Sequence, residues 1–97
     1  MRVFVYKTLK EFWKRHADAE NALQAWYRDA ENASWKSMAD IKARYASASV
    51  ISAKRVVFNI GGNKYRLVVS VDFADSSVYI RFIGTHKQYD RIDVRKV

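Results

Sequence analysis

The sequence predicts an α+β fold, with N-terminal helices packed on a twisted antiparallel β-sheet, and three observations lead there. In the first half, apolar residues recur at the spacing of one helix face. From Val50 onward the period changes to two. Between two alternating runs stands Gly61-Gly62-Asn63, a hairpin signal because glycine accepts positive φ without steric cost.

The elements follow in order. Arg2–Tyr6 alternates around Val3 and Val5 and reads as a short strand. Thr8 followed by Glu11 matches a capping box, and Leu9, Phe12, Trp13 and His16 then share one helical stripe. A second helix is expected from about Ala19 to Asn32, with Ala22, Leu23, Trp26 and Ala30 facing the core and Asp18 as N-cap. Ser37 and Asp40 would cap a short turn carrying Met38 and Ile41, ahead of the small-residue run Ala46–Ser49. Trp13, Trp26 and Trp35 are assigned to the core.

Arg55–Ile60 and Lys64–Asp72 form the hairpin. A two-residue turn would set Phe58 opposite Tyr65 and Val56 opposite Leu67 on one face, with Arg55, Val57, Asn59, Lys64 and Arg66 on the other. Ser77–Ile83 adds a third strand, Val78, Ile80 and Phe82 on the apolar side and Tyr79 and Arg81 opposite. The helices then cover the apolar face, and Arg55, Lys64, Arg66 and Arg81 line the other. Neighbouring strands lie about 4.8 Å apart, so these cations are able to converge on one ligand. A solvated outer face would show the same pattern. The stretch Arg81–Asp90, RFIGTHKQYD, tips the balance towards a site. It gathers Arg81, His86, Lys87, Tyr89 and Asp90 at a strand end, and His16 is the only other histidine.

Composition narrows the function. With 97 residues the chain suits one domain, 1–97, and 49% hydrophobic content with 14% aromatics supplies a core and argues against global disorder. A net charge of +8 points to a polyanionic partner bound in a salt-sensitive way. The absence of Cys removes disulfides and thiolate metal sites. His86 and Asp90 are the one close ligand pair, so neither a metal nor a cofactor is expected. No apolar run approaches the roughly 20 residues that span a bilayer, and the N-terminus lacks a signal-peptide core, so no membrane association and a cytoplasmic location are expected. With no Pro and three Gly, no linker is visible.

Three segments, DIKARYASASVI (Asp40–Ile51), RVVFNIGGNKYRLVVSV (Arg55–Val71) and IRFIGTHKQYDRID (Ile80–Asp93), resemble the HigB toxins of the wider RelE/ParE group of toxin–antitoxin systems. The hairpin N-I-x-G-N-x-Y-R-L combined with the T-H-x-x-Y-D ending is the specific part. The resemblance implies a RelE-like fold and a toxin that cleaves translated mRNA at the ribosomal decoding site. It also implies a cognate, HigA-like antitoxin, with the ribosome and mRNA as further partners. Metal-free cleavage uses the ribose 2′-hydroxyl as nucleophile and needs a base, an acid and cations for the phosphorane. On this view His86, Arg66, Arg81, Lys64 and Tyr89 are catalytic, Arg55, Lys64 and Lys87 bind RNA, and Asp90 orients His86.

An unperturbed imidazole titrates near neutrality and serves as base or acid, and a guanidinium fork matches phosphate oxygens. Two other readings stay open: a nucleic-acid-binding module without catalysis, and a gyrase-directed toxin on the same fold. No aromatic stacking platform is evident, so positioning of mRNA is expected to come from the ribosome. The antitoxin would lie on the basic face or along the helical segment Lys7–Arg15.

Overall fold

The computed structural model describes residues 1–97. Its N-terminal strand is β1 (Arg2–Phe4), followed by helix α1 (Tyr6–Arg15), a 3-10 turn at Ala17–Ala19, α2 (Glu20–Asn32) and α3 (Met38–Arg44). Four further strands, β2 (Ser49–Ser52), β3 (Arg55–Ile60), β4 (Tyr65–Asp72) and β5 (Ser77–Thr85), lead into the one-turn helix α4 (His86–Tyr89). The sheet order is β1-β5-β4-β3-β2. Strands β3 to β5 form the expected antiparallel meander, β2 extends it by an antiparallel edge strand, and β1 adds to the β5 edge in parallel, making the five-stranded sheet mixed.

The helices cover one sheet face. Leu9, Trp13, Leu23, Trp26, Ala30 and Ile41 meet Val56, Phe58, Ile60, Tyr65, Leu67, Val69, Val71 and Val78 in a single buried cluster. Phe58 sits at its centre, edge-on to Trp26 at 5.4 Å and to Tyr45 at 5.1 Å between ring centroids. All three tryptophans are buried, as their spacing implied. Trp26 Nε1 has no hydrogen-bond partner. Leaving it unpaired costs roughly 1–3 kcal/mol. Burying a ring of about 150–250 Å² contributes about 4–6 kcal/mol, so packing wins at this position. The Met1 ammonium donates to the carbonyls of Ala30, Glu31 and Ala33 at 2.8–3.1 Å, a cation at the negative end of α2 that ties β1 to the helices.

Local capping differs from expectation in two places. Helix α1 begins at Tyr6, two residues before Thr8, so the Thr8–Glu11 box does not form and no side chain caps the helix. Asp18 lies within the 3-10 turn and does not cap α2, because its carboxylate is engaged by Tyr65 and Lys64 from the sheet. Ser37 does cap its element, accepting the Asp40 N–H at 3.4 Å, and that element is a seven-residue helix. The run Ala46–Ser49 leads into an edge strand that alternation alone did not reveal.

The sheet corrects two register expectations. The hairpin loop holds four residues, Gly61–Lys64, with Gly61 and Gly62 at φ 61° and 71°. Phe58 therefore pairs with Leu67 and Ile60 with Tyr65. The slip is two residues, so every side chain paired between β3 and β4 keeps its predicted face, and only Lys64, now in the loop, departs from it. In β5 a bulge intervenes: Ile80 pairs with Val69 and Phe82 with Val68, leaving Arg81 as the extra residue. An extra residue reverses the alternation beyond it. Ile83 turns to the core and Phe82 to the outer face, contrary to the simple period-two reading.

That outer face is only partly open. Val57 and Val68 are buried, 3% and 0% exposed, yet lie outside the helix-side cluster. Arg55 Nη1 donates to the carbonyls of Val94 and Val97 at 2.9 and 2.6 Å, which holds the C-terminal segment against this side.

Candidate active site

The last residues of β5 and the turn after it form the site's acid–base end. Thr85 Oγ1 accepts the Gln88 N–H at 3.2 Å and Gln88 Oε1 accepts the Thr85 N–H at 2.8 Å, a complete capping box that starts α4. The signal, T-x-x-Q, stands in the sequence at Thr85–Gln88 and went unread. Gly84 makes the turn possible: a Cβ there would lie 2.5 Å from the Phe82 ring and 2.7 Å from Gln88 Oε1. The His86 N–H then bonds the Lys64 carbonyl at 3.1 Å, fixing α4 to the start of β4.

One helical turn places His86 Nδ1 3.1 Å from Asp90 Oδ2. An ionised carboxylate only accepts, so in this pair Nδ1 is the donor, and in the neutral ring Nε2 keeps its lone pair. The His86 side chain is 53% exposed, leaving Nε2 reachable. Lys87 is exposed beside it, and Tyr89 closes the turn half-buried. Arg66 sits on the adjoining strand opposite Gly84, with Nη1 turned to the carbonyls of Asn63 and Tyr65 at 3.1 and 3.3 Å.

The four cations expected on the outer face do not meet. Lys64 belongs to the hairpin loop and reaches the helix side, where Nζ lies 3.0 Å from Asp18 Oδ2. The Tyr65 hydroxyl donates to the other oxygen of the same carboxylate. These two bonds, Tyr65 first and Lys64 second, hold the Asp18 carboxyl below the ordinary carboxylate range, and the bond to Asp18 raises the Tyr65 phenol. His16 packs here as an aromatic, 4.4 Å from Phe12 and 5.6 Å from Tyr65 between ring centroids. Arg55 grips the C-terminal carbonyls. Arg81, displaced by the bulge, bonds Ser70 Oγ through Nε at 2.9 Å and lies over the Tyr79 ring. Thus His86, Asp90, Arg66, Lys87 and Tyr89 share one end, and Arg55 and Arg81 the other.

No three His, Asp or Glu side chains are close enough to hold a metal ion together. None of the three surface cavities is lined by His86. The largest, about 510 Å³, lies at the α2–α3 corner beside Trp35 and Arg44, so the acid–base end is an open surface. No helix is long and apolar enough to cross a membrane.

Helices on one face of a small mixed sheet, with a His-bearing turn at the end of the last strand, define a RelE-like toxin. The family model for the HigB toxin, described as the RelE-like toxic component of a toxin–antitoxin system, matches residues 19–92, and the chain belongs to this family. It is similar to the mRNA interferase toxin HigB of Escherichia coli (strain K12), 32% identical over 92 residues that cover 93% of this chain and 88% of the relative. The same figures hold for proteins named mRNA interferase HigB from Escherichia coli O157:H7 and Shigella flexneri. As the toxic half of such a system, the chain has an antitoxin as partner.

Proposed function

We propose that this toxin is a ribosome-dependent mRNA endonuclease that cuts translated message at the decoding site and so stops translation in the cytoplasm. The names of its relatives support RNA as the target. The observation that carries the chemistry is the His86–Asp90 pair, with Nε2 exposed and Arg66 on the neighbouring strand. His86 Nε2 removes the proton from a ribose 2′-hydroxyl, and the oxygen attacks the adjacent phosphorus. The P–O5′ bond breaks, giving a 2′,3′-cyclic phosphate and a 5′-hydroxyl whose proton is returned by an acid. Arg66 neutralises the equatorial oxygens of the phosphorane, with Lys87 as a further point charge. Tyr89 offers its ring or hydroxyl to the nucleotide. Lys64 acts through its carbonyl, which anchors His86, and Asp90 orients the imidazole. Arg81 and Arg55 hold the strand farther along the sheet.

The open site supports dependence on the ribosome. An exposed imidazole outside any cavity has no wall to orient a flexible strand, and orientation is where much of the acceleration in such reactions resides. Primer extension on a translated message, with programmed ribosomes and with the same RNA alone, tests the reading. New ends are expected only on ribosome-bound RNA and are expected to vanish with His86→Ala. Equal cutting of naked RNA would sink the ribosome dependence, and no cutting in either sample would sink the nuclease.

A further inference from the structure

The far end of the outer face holds an arrangement that the cleavage chemistry does not use. Parallel pairing of β1 with β5 sets Phe4 beside Tyr79, and their rings stack at 5.4 Å with planes 19° apart. The Arg2 guanidinium lies 5.9 Å from the Phe4 centroid and the Arg81 guanidinium 5.8 Å from that of Tyr79. Phe4 is 40% exposed and belongs to no buried cluster. Beside this platform is an open groove of about 390 Å³ whose lining includes Lys54, Arg55, Ser70, Tyr79, Arg81 and Arg95. The groove's one acid, Asp72, is occupied by the Asp75 N–H at 3.0 Å. Lys54, Arg81 and Arg95 thus face a single carboxylate next to two stacked rings, while Arg55 is held by the C-terminal carbonyls.

We propose that this is a binding subsite for single-stranded RNA, in which a base stacks on an outer face of the Phe4–Tyr79 platform by displacing the guanidinium that lies there, and that guanidinium turns to a neighbouring phosphate in the groove. The inference rests on the reading of the protein as an RNA-cutting toxin and adds where the strand is gripped. Stacking needs an unpaired base, so a single strand fits and a duplex does not. An acidic peptide would satisfy the cations but leave the exposed ring pair without a role. Tyr79 and Thr85 lie roughly 20 Å apart along one strand, room for several extended nucleotides between the platform and His86. Local patterning carries no sign of this platform, because Phe4 and Tyr79 meet only through the β1–β5 pairing.

Fluorescence anisotropy with a labelled 2′-O-methyl RNA of about eight nucleotides, and an abasic oligomer of equal length, tests the proposal. Phe4→Leu and Tyr79→Leu are each expected to weaken the base-bearing oligomer about 5- to 100-fold and to leave the abasic one within about twofold. Arg95→Gln, at an exposed position, is expected to weaken both alike and to lower the slope of log K against log salt by about 0.7. Circular dichroism and a thermal melt establish that each variant is folded. Three results would overturn the proposal: no preference of the wild type for bases, equal loss of both oligomers in the ring variants, or tighter binding of polyglutamate that the same variants abolish. The 2′-O-methyl group blocks cleavage, so this readout stands apart from primer extension. Stacking without cutting would leave a binding module, and cutting without stacking a nuclease that lacks this subsite.

Discussion

In the proposed function, the two ends of the outer sheet face divide the work that one cluster had been expected to do. At the His86 end, hydrogen bonds fix the turn and the imidazole it carries: the Thr85–Gln88 box and the Lys64 carbonyl hold the backbone, and the Asp90 carboxylate holds the ring. At the Tyr79 end, rings and guanidinium groups lie side by side with no imidazole among the groove-lining residues. Proton transfer demands orientation to a fraction of an ångström, whereas stacking and phosphate contact tolerate slack. Separating the two lets a rigid turn carry the chemistry while a flatter surface holds the strand.

Substitutions that break one end and spare the other test this division most directly. His86→Ala is expected to lower the cleavage rate on programmed ribosomes by about 10²–10⁴-fold, the usual contribution of a positioned acid or base. Binding of the 2′-O-methyl oligomer should hardly change. Loss of both would mean that the ends are not separate. Asp90→Asn is expected to cost less, about 10-fold in kcat with KM unchanged, because the amide also donates and favours the opposite imidazole tautomer. The surface position predicts a stability change within about 0.5 kcal/mol. Restoration of most of the rate by Asp90→Glu would sharpen the assignment of Asp90 as an orienting group, and full activity in Asp90→Asn would remove it.

Gly84→Ala probes the hinge between strand and turn. The new methyl must displace the Phe82 ring or the Gln88 amide, and the amide is already bound to Thr85. Either shift costs about 1–3 kcal/mol in urea unfolding, and cleavage should fall with it as His86 moves. An unchanged midpoint and rate would show that the turn is not held as tightly as its capping box implies.

The sequence made the fold class readable because alternation and helical spacing are local. It placed the three tryptophans in the core and kept each paired hairpin side chain on its face despite a register slip of two. Phe82 was misplaced because a bulge adds one residue without leaving a mark in composition. The platform was invisible for a different reason: parallel pairing of β1 with β5 is non-local, and Phe4 looked like part of an ordinary short strand. Lys64 was assigned to the outer face by parity, but loop residues do not obey strand parity. At the His86 end the reading came closer, since His86 and Asp90 are neighbours in sequence, although the turn that T-x-x-Q starts was not foreseen.

The smallest effect concerns how the His86 end is tied to the helices. Lys64 gives its carbonyl to the His86 N–H and its ammonium to Asp18, which also accepts from Tyr65. The Asp18 carboxyl is held below its ordinary range by these partners, so its contribution is complete above the unfolded carboxylate pKa and is lost as pH falls through the lower, folded value. Tyr65 is shifted the other way: its contribution is complete below the ordinary phenol range and is lost as pH rises through the raised value. The corner is therefore intact between the carboxylate and phenol ranges, roughly pH 4 to 10. Asp18→Asn removes the negative charge and leaves one acceptor oxygen where Lys64 and Tyr65 now use two. Thermal melts across that span should show the variant below the wild type near neutrality, with the gap closing at acid pH as the wild-type carboxylate protonates. The Lys64 and Asp18 side chains are more than half exposed and only the Tyr65 ring is buried, so the difference is a small shift in Tm. A gap that stays constant down to acid pH would mean that the Asp18 charge is not what joins Lys64 and Tyr65, and that this corner holds the His86 turn through backbone pairing alone.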